Sequence, residues 1–187
     1  MKTAAPVLRV ALVVAMLALT AWLWGNLPTK MQSWAPIVVH GTTGERVEGR
    51  NLAVTVHSLW LAREVTFADD GVPVAMSTSG AWLVMGLTYE TLLSAESPAF
   101  QLRADGRTFE APLTGFPVRL APGLPDHSVV TFELPAVPAE AELLAYNKAA
   151  DTYGNPQVAP LDSQLSIPLE LPPQVEDTID LSEVSEG

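Results

Sequence analysis

The stretch Pro6 to Trp24, PVLRVALVVAMLALTAWLW, is the one long apolar run in the chain, and it decides where the other residues have to live. From Val10 to Trp24 it is uncharged, and Thr20 is its only polar residue. A helix over Val10–Trp24 rises ~22 Å, short of a ~30 Å hydrocarbon core; started at Pro6 it reaches ~28 Å, enough to span. Proline suits a first helical position, where its missing N–H would be unbonded anyway. Arg9 sits one turn from that end, where a long side chain snorkels to the headgroups. Gly25, Asn26 and Pro28 stop the helix, and Trp22 and Trp24 fall where indole rings favour the bilayer interface. Lys2 and Arg9 precede the run and only Lys30 follows closely. The positive-inside rule therefore predicts a cytoplasmic N-terminus and an extracytoplasmic remainder.

The same run fits the apolar region of a secretory signal peptide. Ala18-Leu19-Thr20 lies inside the run, and Ser33-Trp34-Ala35 stands before Pro36, so neither makes a good cleavage site. No cysteine is available for a lipoprotein anchor. The expectation is a retained single-pass anchor in the cell membrane, with secretion after cleavage as the alternative. The domains expected are a cytoplasmic stub and anchor over 1–25, a juxtamembrane linker over 26–39, a folded domain over 40–171 and an acidic disordered tail over 172–187.

Charge narrows what the exported part can meet. The chain carries a net −11, and its first thirty residues hold bases and no acid, so the remainder is more acidic still. Such a surface repels nucleic acid and anionic headgroups, which excludes nucleic-acid binding. The absence of cysteine removes disulfides, thiolate metal sites and thiol nucleophiles together.

Sixteen prolines and the lack of long amphipathic helical patterns point to strands. Arg50 to Phe67 alternates through Leu52, Val54 and Val56, then reverses parity at Leu59 and Leu61, which predicts a bulge near Ser58. Ala68 to Gly71 and Ser77 to Gly80 read as turns. Ala81 to Leu92 is apolar on both parities, as a strand buried on both faces would be, and Gly86 within it allows a close approach. Asp105-Gly106 supplies the positive φ angles of a type I′ hairpin between Ala99 and Leu113. Ser128 to Pro135 is a strand with Val130, Phe132 and Leu134 inward. Ala141 to Asn147 reads as a strand or a helical turn, and 148–161 as a long loop. Leu165, Ile167 and Leu169 alternate around Pro168, which cannot donate to a ladder. This predicts an edge strand able to receive a partner's strand. From Pro172 the tail holds five acids and no base and reads as disordered. About seven or eight strands with scattered turns describe an all-β sandwich.

The glycine-led strand Gly80 to Leu92, the hairpin Phe100, Leu102, Asp105, Gly106, Phe109, the turn Leu120 to Gly123 and the segment Phe132 to Pro135 together resemble immunoglobulin-like domains of unknown function on Gram-positive, actinobacterial-type surface proteins. Those are similar in fold to the secreted mycobacterial immunoprotective-antigen family. The likeness covers roughly residues 40–171. It implies an immunoglobulin-like β-sandwich behind one transmembrane helix, and it carries no catalytic residues over. Two departures stand out: the anchoring cysteine of many such proteins is absent, and Tyr89-Glu90-Thr91 replaces an asparagine common late in the central strand.

No residue pattern specifies a reaction or a ligand. His40, His57 and His127 match no metal-ligand spacing, and H-E-x-x-H is absent. Asp69-Asp70-Gly71 lacks EF-hand spacing. No G-x-S-x-G or phosphate loop occurs, and Glu140 and Glu142 are ordinary for an acidic chain. Trp60 and Trp82 fall on apolar parities and read as core; Trp34 is the tryptophan outside the anchor expected to be exposed. The expectation is a non-enzymatic accessory module without cofactor. It would hold the bilayer through its helix and meet another envelope protein, with small-molecule or metal binding as the alternative. A hydrolase would need a nucleophile and a base brought together by the fold.

Overall fold

The computed structural model describes residues 4–27, 35–69, 71–111, 120–150, 156–158 and 161–185. The chain divides into two compact units, Met1–Ala35 and Pro36–Gly187.

Among its described residues the first unit forms the helix α1 (Ala4–Gly25). Asn26 ends it by turning both its backbone N–H and its side-chain amide onto the Trp22 carbonyl, at 3.1 and 2.8 Å. Thr20, the lone hydroxyl of the apolar run, donates to the Met16 carbonyl one turn back, at 2.8 Å. Side chains 9–27 are all exposed. Among the described residues no helix is long and apolar enough to cross a membrane, so the anchor expected over Pro6–Trp24 is not shown. Trp34 lies outside the described residues.

The second unit is a β-sandwich. Its strands are β1 (Ile37–His40), β2 (Val47–Glu48), β3 (Leu52–Asp69), β4 (Val72–Thr91), β5 (Pro98–Ala104), β6 (Arg107–Glu110), β7 (Asp126–Leu134), β8 (Ala141–Ala150), β9 (Pro156–Val158), β10 (Ser163–Leu169) and β11 (Glu176–Asp180), followed by a short helix α2 (Leu181–Ser185). The first sheet runs β1-β10-β8-β5-β6, with β9 on β8. The second runs β11-β3-β4-β7, with β2 on β3. Alternation sends one face of each sheet inward. Leu52, Val54, Val56, Leu83, Met85, Val130 and Phe132 from the second sheet meet Phe100, Leu102, Leu143, Leu165 and Ile167 from the first in one buried cluster. Each such side chain removed from water contributes roughly 1.5–3 kcal/mol.

The expected bulge near Ser58 and the Asp105-Gly106 turn hold. Register slips between Val56 and Ser58, so His57 and Ser58 sit opposite a single step of β4. Asp105 and Gly106 both have positive φ, 47° and 75°, as a type I′ turn demands. Ala141 to Asn147 is strand, within β8. The expected loop over 148–161 contributes the end of β8 and β9, and residues 151–155, 159 and 160 lie outside the described residues.

Three expectations are corrected. Ser77 to Gly80 is not a turn but the middle of β4, which pairs Ser77 with Glu64. Its polar side chains are used within the second sheet: Ser77 donates to Glu64 and Thr78 to Glu133, at 2.6 and 2.8 Å. The segment Leu165–Leu169 is not an edge, because β1 pairs in parallel with β10 over Ser163–Ser166. Leu165 and Ile167 are wholly buried and Leu169 nearly so. Pro168 is tolerated because it lies past the last residue of β1. Its carbonyl receives the Thr43 hydroxyl there, and its nitrogen, on the same side, meets no strand.

The tail is the third correction. Rather than being disordered, it adds β11 in parallel to β3, Glu176 opposite Ala62 and Ile179 opposite Val65, and then forms α2. Few apolar residues suffice because each is placed. Ile179 is buried, while Leu181 and Val184, together with Trp60 and Val129, pack against the cluster of Val65, Trp82 and Val84 on the outer face of the second sheet. Glu176, Asp177, Asp180 and Glu183 stay in solvent, and Asp180 caps α2 by accepting from the Ser182 N–H and hydroxyl at 2.9 and 2.7 Å.

Two measurements check this packing. A methyl at Gly80 would stand 1.8 Å from the Leu134 carbonyl oxygen, whereas one at Gly86 would meet the mobile Ser58 hydroxyl at 2.6 Å. Gly80→Ala should lower unfolding free energy in urea by about 2–3 kcal/mol, and by more than Gly86→Ala. Leu181→Asp with Val184→Asp should cost about 2–4 kcal/mol and shift tryptophan emission to the red as Trp82 meets water. Unchanged emission would mean that the tail does not cover that face.

Candidate functional site

Two polar clusters stand on the outer faces, one on each sheet. On the first sheet, neighbouring strands supply His40 (β1), Ser166 (β10), Glu142 (β8) and Arg103 (β5). His40 Nδ1 lies 2.9 Å from Ser166 Oγ. The Ser166 hydroxyl donates to Glu142 Oε1, and Arg103 Nη2 pairs with Glu142 Oε2. A serine, a histidine and a carboxylate in contact invite a catalytic reading, but the geometry opposes it. Ser166 is 1% accessible, and its proton is given to the carboxylate rather than to the imidazole. Partial burial alone would raise the Glu142 carboxyl. The hydrogen bonds from Ser166 and Arg103 and the Arg103 charge outweigh that and hold it below its ordinary 4.5. A carboxylate so stabilised is a poor base. The row serves instead to pin four strands side by side, including the short β1.

The second cluster sits on the outer face of the second sheet. Thr88 (β4) is directly opposite His127 (β7), and His57 stands at the bulge of β3. His57 Nε2 lies 2.6 Å and His127 Nδ1 2.8 Å from the same Thr88 Oγ1. Which partner donates in each contact is set by the tautomer of each ring. The rings are 6.4 Å apart between centroids and inclined by 30°. Beside them a groove of about 540 Å³ runs along β11 and α2, with Trp60 on its floor and Glu176, Asp180 and Glu183 among its lining residues. The bulge turns His57 and Ser58 both toward it. Gly86 leaves room for the Ser58 hydroxyl, Trp60 and Val184. On the inner side of β4, Tyr89 donates to Asp126 Oδ2 at 2.5 Å. Burial, then that carboxylate, raises its hydroxyl well above the usual 10.0, so it remains a donor.

The sequence-predicted residues divide accordingly. Of the three histidines the fold joins His57 to His127 and keeps His40 on the other sheet, so no three-histidine site forms. Among the described residues no group of three or more His, Asp or Glu is placed to hold a metal. Trp82 is core, as expected, whereas Trp60 is half-buried at the groove. Arg9, Trp22 and Trp24 are exposed on α1, and Leu165, Ile167 and Leu169 belong to the core. Sequence reasoning missed the His57–Thr88–His127 group and the Ser166–Glu142 contact. Each joins residues from separate strands, and only strand register, which no motif carries, could reveal it.

No protein-family model and no curated protein matches the chain. Among solved structures it is similar to an uncharacterised β-sandwich protein from Clostridium difficile 630. The TM-score is 0.42 at 11% identity, over 77% of this chain and 100% of that one.

The Glu142 row makes a pH-dependent prediction. A carboxyl depressed by folding adds stability that is present above its ordinary value of 4.5 and lost as pH falls through the lower folded value. Glu142→Gln should therefore cost about 1.5–3 kcal/mol at neutral pH. The gap from the parent protein should shrink steadily in denaturation curves taken below pH 4.5. A gap independent of pH would show that the charge is not what the row stabilises.

Proposed function

We propose that the chain is a membrane-anchored, extracytoplasmic and non-enzymatic interaction module of the cell envelope. Its domain would be an immunoglobulin-like sandwich of the kind its turn and core residues resemble. The observation that supports this is α1. Its apolar side chains are exposed around the whole helix, from Val10 at 64% to Trp24 at 79%. A helix apolar all round has no face for water and needs a non-aqueous surrounding. Its one hydroxyl is already bonded within the helix. Arg9 and the pair Trp22 and Trp24 mark its two ends, as headgroup anchors do. The acidic domain suits a soluble head held off an anionic surface.

The partner is another envelope protein. The edge suited to it is β1 instead of β10. Among the described residues β1 pairs only with β10, and Ile37 and Val38 are exposed beside its open side. A partner's strand adds there by main-chain hydrogen bonds, with those two side chains giving specificity. The alternative, a metal- or small-molecule-binding protein, draws on the His57–Thr88–His127 group and its groove.

Fractionation tests the anchor: the protein should stay with membranes through alkaline carbonate washing and be shaved by external protease. Full-length protein in the cytosolic supernatant would overturn it. A photo-crosslinker in place of Val38 in intact cells should capture one dominant protein. A smear of adducts, or none, would remove the β1 interaction.

A further inference from the structure

We propose that His57 and His127, with the Thr88 hydroxyl between them, form a surface site for a divalent transition-metal ion of the copper or zinc type. Two imidazoles from different strands aim one nitrogen each at a single point, now held by Thr88 Oγ1 at 2.6 and 2.8 Å. An ion between the two rings, beside that hydroxyl, takes both lone pairs, and whichever ring nitrogen carries a proton there shifts it to its other nitrogen or releases it. Metal–nitrogen bonds of ~2.1 Å hold two imidazoles at about the observed 6.4 Å centroid separation or slightly less, so little movement is needed.

The platform is rigid. Thr88 and His127 are direct cross-strand partners, and Val56 and Leu87 beneath them are buried. His57 stands at a bulge, a feature that re-aims side chains in sheets. Both histidines are exposed, so an ion enters without unfolding anything. The field favours a cation: the adjoining groove is lined by Glu176, Asp180 and Glu183 and, among the described residues, by no Lys or Arg.

The donor set also chooses the ion. Two imidazoles with no carboxylate in direct contact suit copper or zinc and offer little to calcium or magnesium, which want oxygen cages. The remaining coordination positions fall to Thr88 and water, so the site is open on its outer side.

Titration of the detergent-solubilised full chain with copper(II) and zinc(II) salts, read by calorimetry and by copper electron paramagnetic resonance, tests the assignment. One ion per chain should bind, copper more tightly than zinc, with hyperfine splitting from two ring nitrogens. His57→Ala and His127→Ala should each weaken copper binding at least tenfold while leaving circular dichroism unchanged. His40→Ala, on the other sheet, should leave it unaltered. Equal losses in all three variants, or binding indifferent to His57 and His127, would overturn the site. Should either variant misfold, Thr88→Val in an otherwise native protein decides the matter. It frees both rings and should keep two-nitrogen coordination, and loss of that spectrum would sink the proposal.

Discussion

Burial of β4 on both faces is the constraint from which the rest follows. Residues 81–87 are buried without a break. A strand of that kind cannot sit in a two-layer sandwich unless its outer face is also covered. The inner side chains, Leu83, Met85 and Leu87, find the first sheet. The outer ones, Trp82 and Val84, need something else, and β11 with α2 supplies it. Gly80 and Gly86 are the two positions where this crowding is tightest. One lets the Leu134 backbone approach, and the other lets Ser58 and Val184 in.

That constraint explains which parts could be read from the sequence. Strand alternation, the bulge near Ser58, the Asp105-Gly106 turn and the inward set Val130, Phe132 and Leu134 follow from local chemistry. The double-sided apolar pattern of Ala81 to Leu92 was equally visible, yet what covered its outer face was not. Composition marks the tail as disordered because five acids outnumber its apolar residues. Position overrides composition, since Ile179, Leu181 and Val184 each land on a waiting surface while Glu176, Asp177, Asp180 and Glu183 face water. The Leu165–Leu169 segment failed for a related reason. A proline signals a missing donor, and only the register shows that the missing bond lies beyond the end of a short neighbouring strand.

Of the candidate sites, nothing was legible beyond the individual residues. His57, Thr88 and His127 come together through one direct pairing and one register slip. His40, Ser166, Glu142 and Arg103 come together across four strands. Similar residue types produce different chemistry in the two places. On the first sheet a buried hydroxyl gives its proton to a carboxylate already stabilised by a guanidinium, which locks the row. On the second sheet a half-buried hydroxyl holds two exposed rings in place, and each ring has a nitrogen to offer.

The pairing scheme also imposes an order on assembly. In the first sheet β1 waits for β10, and in the second β3 waits for β11. A chain delivered amino end first therefore leaves both sheets unfinished until its closing segment emerges. These long-separation parallel contacts form late, as loop-closure entropy dictates. Until then the outer side of β3 and β4 is bare, with Trp60, Trp82 and Val84 uncovered. The interval between synthesis and closure is thus when this protein is most open to escorts and most exposed to clumping.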